Sequence, residues 1–181
     1  MNLVDTYKQL LENIQHALKK HGYSRKVGFF YKKYEDNWGI IGFQKSTRSS
    51  NEFRIKFTIN LGVYSKAIAE ILDPTRIKLR PTVWDLHWGQ RIGLLFPEKN
   101  DKWWVIDEST SMEFLEQEIH ECLLHKVIPE IDKCISHYNL IDLWVSNQLP
   151  VTGLLYRQSV PFSPDYKSRL SKFIEQKYNE S

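Results

Sequence analysis

The chain has 181 residues, 41% of them hydrophobic and 26% charged, with a formal net charge of +3. That length fits one domain able to bury roughly 70% of its unfolded surface, and the balance is globular rather than disordered. No run of about 18 apolar residues exists, so no spanning helix is expected, and acids and amides break up the opening "MNLVDTYKQLLENIQ", which argues against a secretory signal.

Val4, Tyr7, Leu11, Ile14 and Leu18 fall at helical spacing and predict a first helix, with Lys19, Lys20 and His21 suited to its last turn and Gly22 to its left-handed stop. "VGFFYKKY" and "WGIIGFQKS", separated by "EDN", read as a hairpin. "EFRIKFTINLGVY" alternates. Phe53, Ile55, Phe57, Ile59, Leu61 and Val63 take one side, and Arg54, Lys56, Thr58, Asn60, Gly62 and Tyr64 the other, which predicts a strand with one apolar and one polar face. "SKAIAEIL" is a short helix closed at Asp73-Pro74. "IKLRPTVWDLHWGQRIGLLF" holds a further strand, and "KWWVID" is its expected antiparallel neighbour across the loop "PEKND".

From Thr110 the period changes. Thr110-x-x-Glu113 reads as a capping box, followed by Leu115, Ile119, Cys122 and Leu123 on one stripe. Because Pro129 cannot sit deep inside a helix without losing a hydrogen bond, the segment is divided into a helix to about Val127, another to about His137, and a third over "LIDLWVSNQ". "LPVTGLLYRQSVPF" reads as irregular or extended, and "SPDYKSRLSKFIEQKYNE" as a last helix with Pro164 near its first turn. The expected fold is therefore a single α+β domain over residues 1–181. It is an antiparallel sheet of about five strands, with an N-terminal helix and several C-terminal helices covering it.

Within "WDLHWGQRIG", alternation assigns Trp84, Leu86, Trp88 and Ile92 to a core face, with Gln90 the one polar interruption. Asp85, His87, Gly89, Arg91 and Gly93 fall on the other face. His87 and Arg91 are four strand positions apart, about 13 Å. Gly89 between them leaves a gap open to a ligand, to a covering side chain, or to a bulge. Thr58, Asn60 and Tyr64 on the alternating strand, and Gln44, Lys45 and Ser46 on the hairpin, are possible companions. If the strands are neighbours, Lys45, Asn60, His87 and Arg91 could converge as a ligand-binding set. Two fixed cations, an amide and an imidazole that titrates near neutrality suit a phosphate or a carboxylate.

The set lacks the signatures of hydrolysis: there is no carboxylate pair at a defined spacing, no G-x-S-x-G, no H-E-x-x-H and no P-loop. Cys122 and Cys134 lie twelve positions apart, about 18 Å along a continuous helix, too far for a disulfide. They read as buried free thiols, which fits a reducing cytoplasm. With no C-x-x-C and scattered histidines, neither a metal site nor a cofactor is expected. Residues 1–100 hold 17 basic against 9 acidic side chains, and residues 101–181 hold 8 against 13. The two halves either separate into an anion-binding face and an acidic one, or neutralise each other by packing.

"HGY", "FFYKKY", "FQKS", "FTINLGVY", "HWGQRIG", "WW" and "LLHKVIPEID", in that order, resemble the family designated domain of unknown function 4304 (DUF4304). The resemblance covers the chain from the first helix to "LIDLW", most specifically at Phe43-Gln44-Lys45-Ser46, Asn60-Leu61-Gly62 and Arg91-Ile92-Gly93. It implies a bacterial single-domain protein of about this length and brings no established activity, cofactor or catalytic residue.

Three readings of function follow, in descending order. The first is a non-enzymatic binding module for an anionic ligand or a partner protein, with an accessory or immunity-type role as one form, which rests on fold-level analogy. The second is an enzyme acting on a phosphorylated or carboxylated small molecule, with His87 as acid or base and Lys45 and Arg91 as clamps. The third is single-stranded nucleic-acid binding, prompted by the basic and aromatic residues of "SRKVGFFYKKY" and "FRIKF". An amphipathic strand gives the same string, and no RNP-type motif is present.

Overall fold

The computed structural model describes residues 2–50, 53–146 and 165–179. Helix α1, Leu3–Lys19, starts where the Asn2 side chain accepts the Asp5 N–H at 2.9 Å, and Gly22 (φ 83°) reverses the chain just beyond it. Strands β2 (Phe29–Tyr34) and β3 (Asn37–Lys45) form the expected hairpin, turning at Glu35–Asp36, where Glu35 adopts φ 52°. The short β1 (Ser24–Lys26), absent from the sequence reading, pairs with β2. Strand β4, Ile55–Ser65, is the spine of the sheet, and its neighbour β3 runs antiparallel to it from Asn37↔Ser65 to Lys45↔Phe57.

The outer edge of β4 is long enough for two short strands placed end to end. Strand β5, Trp88–Arg91, pairs with Asn60–Val63, and β6, Trp104–Ile106, pairs with Ile55–Phe57. "KWWVID" is thus a neighbour of β4 and not of β5, a correction with a simple cause. The turn Ile92–Leu95 ends β5 after four residues, and the chain returns to the unused part of the same edge.

On one side of the sheet Ile41, Phe43, Ile55, Phe57, Ile59, Leu61 and Val63 meet Tyr7, Leu10, Leu11, Ile14 and Leu18 of α1 and the apolar faces of the later helices. Each fully buried side chain of this kind contributes about 1.5–3 kcal/mol by leaving water. The later helices are α3 (Met112–Cys122), α4 (Ile128–Cys134), α5 (His137–Val145) and α6 (Tyr166–Asn179), with α2 (Lys66–Leu72) following β4 directly. A π-turn, Leu123–Val127, joins α3 to α4 immediately before Pro129, so the proline sits in the first turn of α4, where its missing N–H is tolerated. The expected capping box is not made. Ser111 precedes α3, while the Thr110 hydroxyl accepts the Asp107 N–H at 3.0 Å. The expectations for "LPVTGLLYRQSVPF" and Pro164 lie outside the described residues. Cys122 and Cys134 are buried free thiols.

The other side of β4 corrects the sequence reading. It is not a wet polar face, because Thr58, Asn60 and Tyr64 are all buried. A second apolar cluster covers it, in which Val83 and Leu86 of the 77–87 loop insert among Tyr31, Ile40, Tyr64 and Ala69. Among the described residues no helix is long and apolar enough to cross a membrane.

Candidate functional site

Side chains paired in register share a face, so the strand pairing decides which expected site residues meet. Lys45 pairs with Phe57 and therefore lies on the α1 side, exposed, with its ammonium 4.5 Å from the centre of the Tyr7 ring. Asn60 and Arg91 pair with each other on the opposite side. The Asn60 amide donates to Gln44 Oε1 at 2.8 Å, and Arg91 Nη1 donates to Asp101 at 2.6 Å while its guanidinium lies over the Trp103 ring. Asp101 also accepts the Trp103 indole N–H at 2.9 Å, and Lys56 lies over the same ring.

His87 sits elsewhere on that face, stacked on Tyr64 with ring centres 5.0 Å apart and meeting Trp144 edge-on. Its Nδ1 accepts the Ser65 N–H at 2.9 Å, which places the ring proton on Nε2. The Trp144 indole donates to the His87 carbonyl at 2.9 Å. Burial pushes the imidazole down to about pKa 3, against a small opposing pull from the Asp85 carboxylate. The ring is neutral at physiological pH, which corrects the expectation that it titrates near neutrality. The structure thus brings Asn60 and Arg91 together and holds Lys45 and His87 apart from them. Tyr64 is four strand positions from Asn60, about 13 Å, so His87 lies a comparable distance from Arg91.

Leu86 resolves the question of the Gly89 gap. A Cβ added at Gly62 or Gly89 would stand 2.6 or 2.8 Å from the Leu86 methyl group, so a side chain of this protein fills that space. The other polar groups of the face fasten the covering segments. Tyr64 Oη accepts the Lys78 N–H at 2.8 Å, and Thr58 donates to the Lys102 carbonyl at 2.6 Å. Over Tyr64, Gly62 and Gly89 the face therefore displays the outside of the 77–87 loop.

That outside carries two exposed apolar side chains. Leu79 is 94% exposed and Trp84 60% exposed, with Lys78 and Arg80 exposed beside them. Trp84 projects from a turn closed by Asp85, whose carboxylate accepts both the N–H and the hydroxyl of Thr82 at 2.8 Å. The Asp85 N–H in turn donates to the Thr82 carbonyl at 3.0 Å. This turn breaks the alternation that had assigned Trp84 to the core, while Trp88 and Ile92 are core as expected. The signal for it was Thr82-x-x-Asp85, a side-chain-closed turn in place of continued strand. Tyr31 links the loop to the hairpin. Its ring meets the edge of Trp38, over which Lys33 lies, and Arg80 and Asp85 both act on its phenol, which burial pushes above the usual tyrosine range.

The halves of opposite charge meet through Lys32–Asp132 at 2.7 Å and Arg91–Asp101 at 2.6 Å. The exposed cations of the 77–87 loop are not among these pairs. Among the described residues no group of three or more histidines, cysteines or carboxylates is placed to hold a metal ion.

Compared with known proteins, the chain matches the family model described as domain of unknown function (DUF4304) over residues 14–133. No curated protein and no solved structure matches it. The matched span runs from the middle of α1 almost to the end of α4 and includes the whole sheet and the 77–87 loop.

Proposed function

We propose that this chain, which belongs to the DUF4304 family, is a non-enzymatic binding module that docks a partner protein on the outer surface of the 77–87 loop. The observation that carries the reading is the pair Leu79 and Trp84, turned to solvent on a loop whose Val83 and Leu86 are buried against the sheet. Single exposed apolar residues are ordinary. Two on one fixed loop, flanked by Lys78 and Arg80, make an anchor of the kind that dominates interface energetics. A loop already held in place loses little conformational freedom on docking.

The flanking cations favour a partner with acidic groups around an apolar pocket. A two-fold pairing of identical faces would set Lys78 and Arg80 against their own copies, which favours a different protein over self-association. Leu79 offers no ring for a base to stack on, which favours protein over single-stranded nucleic acid. His87, the imidazole named for acid–base work, is neutral and engaged, and this supports binding over catalysis. A small anion at Asn60 and Arg91 is the lesser form of the reading, since Asp101 already neutralises the guanidinium. An accessory or immunity-type role is one biological form that protein docking would take.

The test is capture from native lysate, identification of the retained protein and reconstitution with it. Leu79→Ser and Trp84→Ser should each weaken the reconstituted complex by about 2 kcal/mol, roughly thirtyfold in Kd, with the fold unchanged. Equal affinity of both variants and the parent would overturn the proposal. Retention on oligonucleotides that falls steeply with salt would replace it with the nucleic-acid reading.

A further inference from the structure

On the helix side of the sheet, away from the 77–87 loop, a cleft of about 470 Å³ opens between the end of β5 and the π-turn. That volume is within the range of small-molecule sites, roughly 300–1,000 Å³. One wall is Gln90 with Leu94 and Leu95, and the other is His125, Lys126 and Pro129, with Glu130 and Lys133 at the margin. Gln90 is the residue that interrupts the apolar face of its strand. It pairs with Leu61, so its amide is directed to the helix side, between the core residues Trp88 and Ile92. A polar side chain between two core neighbours needs a polar partner or an opening to water, and the cleft supplies the opening.

The opposite wall comes from the half of the chain that is acidic in total, yet it contributes the basic residues of "LLHKVIPEIDK". Lys126, Pro129, Glu130 and Lys133 follow at steps of three, one and three, which sets them along one helix stripe. The charges there are unequally committed. Lys133 is bonded to Glu130, and His125 meets Glu121 at 3.2 Å on the exposed side. Lys126 lies over the face of Phe96, 5.0 Å from its centre, and among the described residues it makes no ion pair with a carboxylate. The π-turn that carries His125 and Lys126 is a rare element, frequent at functional sites.

We propose that this cleft binds a small organic anion, a carboxylate or phosphate ester with an apolar body. Lys126 and the Gln90 amide would hold the anionic head, and Leu94, Leu95 and Pro129 would cover the apolar part. The site goes beyond the partner-docking reading and stands independently of it, because the two use different residues on different faces of the sheet.

The experiment uses the full chain and probes of one length and different charge: hexanoate, hexyl phosphate, hexanol and hexylammonium, each titrated while backbone amide resonances are followed. Hexanoate and hexyl phosphate should shift the amides of residues 90–95 and 124–133 and saturate, whereas hexanol and hexylammonium should bind at least tenfold more weakly. Lys126→Met should weaken the anions about tenfold. Glu130→Gln, which releases Lys133 from its partner, should tighten them about threefold, and a gain of this kind cannot arise from damage to the fold. Leu79→Ser should leave anion binding unchanged, which separates this site from the docking loop. Hexanol binding as well as hexanoate, no response in the cleft, or a folded Lys126→Met chain with parental affinity would each overturn the assignment. If hexyl phosphate binds and hexanoate does not, the class narrows to phosphate esters.

Discussion

His87→Asn should flatten the acid side of the stability profile. The native imidazole has its pKa pushed from 6.5 to about 3 by burial, with Asp85 opposing weakly, whereas the unfolded chain returns it to its ordinary value. Below pH 6.5 the unfolded state therefore takes up a proton that the folded state refuses. The stabilisation from neutral burial is complete above pH 6.5 and is lost progressively as pH falls toward 3. For these two values the loss between pH 7 and pH 5 is about 2 kcal/mol, an order-of-magnitude figure. Asparagine is the informative replacement because its Oδ1 stands near the position of Nδ1 and can still accept the Ser65 N–H, while it carries no titrating proton. Urea unfolding at pH 7, 6 and 5, with parent and variant in parallel, isolates the term. The parent should lose about 2 kcal/mol more than His87→Asn over that range. Parallel losses would refute the reasoning, as would a His87 ring resonance that moves with a midpoint near pH 6.5 in the native protein.

Asp85→Ala removes both acceptor contacts that close the turn beneath Trp84, so stability should fall by about 1–2 kcal/mol, and the Thr82 amide should exchange with solvent faster than in the parent. Unchanged Thr82 exchange would mean the turn holds without its carboxylate. Gly62→Ala is expected to be severe, because the new Cβ would stand 2.2 Å from the Trp88 carbonyl oxygen, a backbone atom that cannot step aside without breaking the β4–β5 pairing. A loss of about 3 kcal/mol, or roughly 6–12 °C in Tm, is expected, and a Tm within 2 °C of the parent would contradict the close approach.

The fold was legible where one physical signal dominated. Strand β4 alternates without a break, and the hairpin is flanked by strong strand formers, so both follow from sequence at nearly their full lengths. The parity of Lys45 was legible too, since it continues the Ile41–Phe43 set and so lies opposite Asn60. Chain order alone had suggested otherwise. Local pattern gives no information on what covers a polar face. Thr58, Asn60 and Tyr64 have the composition of a solvated surface, yet all three are buried, and contacts from Lys78 and Lys102 use the polar atoms of Tyr64 and Thr58 as fasteners. The exposure of Trp84 was hidden because a two-residue period continues through a turn in the string of letters, even where the backbone has left the strand. The cleft was half visible, since Gln90 stood out as an anomaly, but its facing residues are more than thirty positions later and only packing brings them opposite.

The placing of two short strands along one margin of β4 has a consequence for how this protein meets others. Both boundaries of the sheet end in segments of three or four residues: β1 on one side, β5 and β6 on the other. A long bare row of amides and carbonyls is what lets a foreign peptide add itself as an extra strand, and what lets misfolded copies stack. Such short borders give an incoming backbone little to zip onto. Misfolded copies likewise find few footholds from which to stack on such an edge.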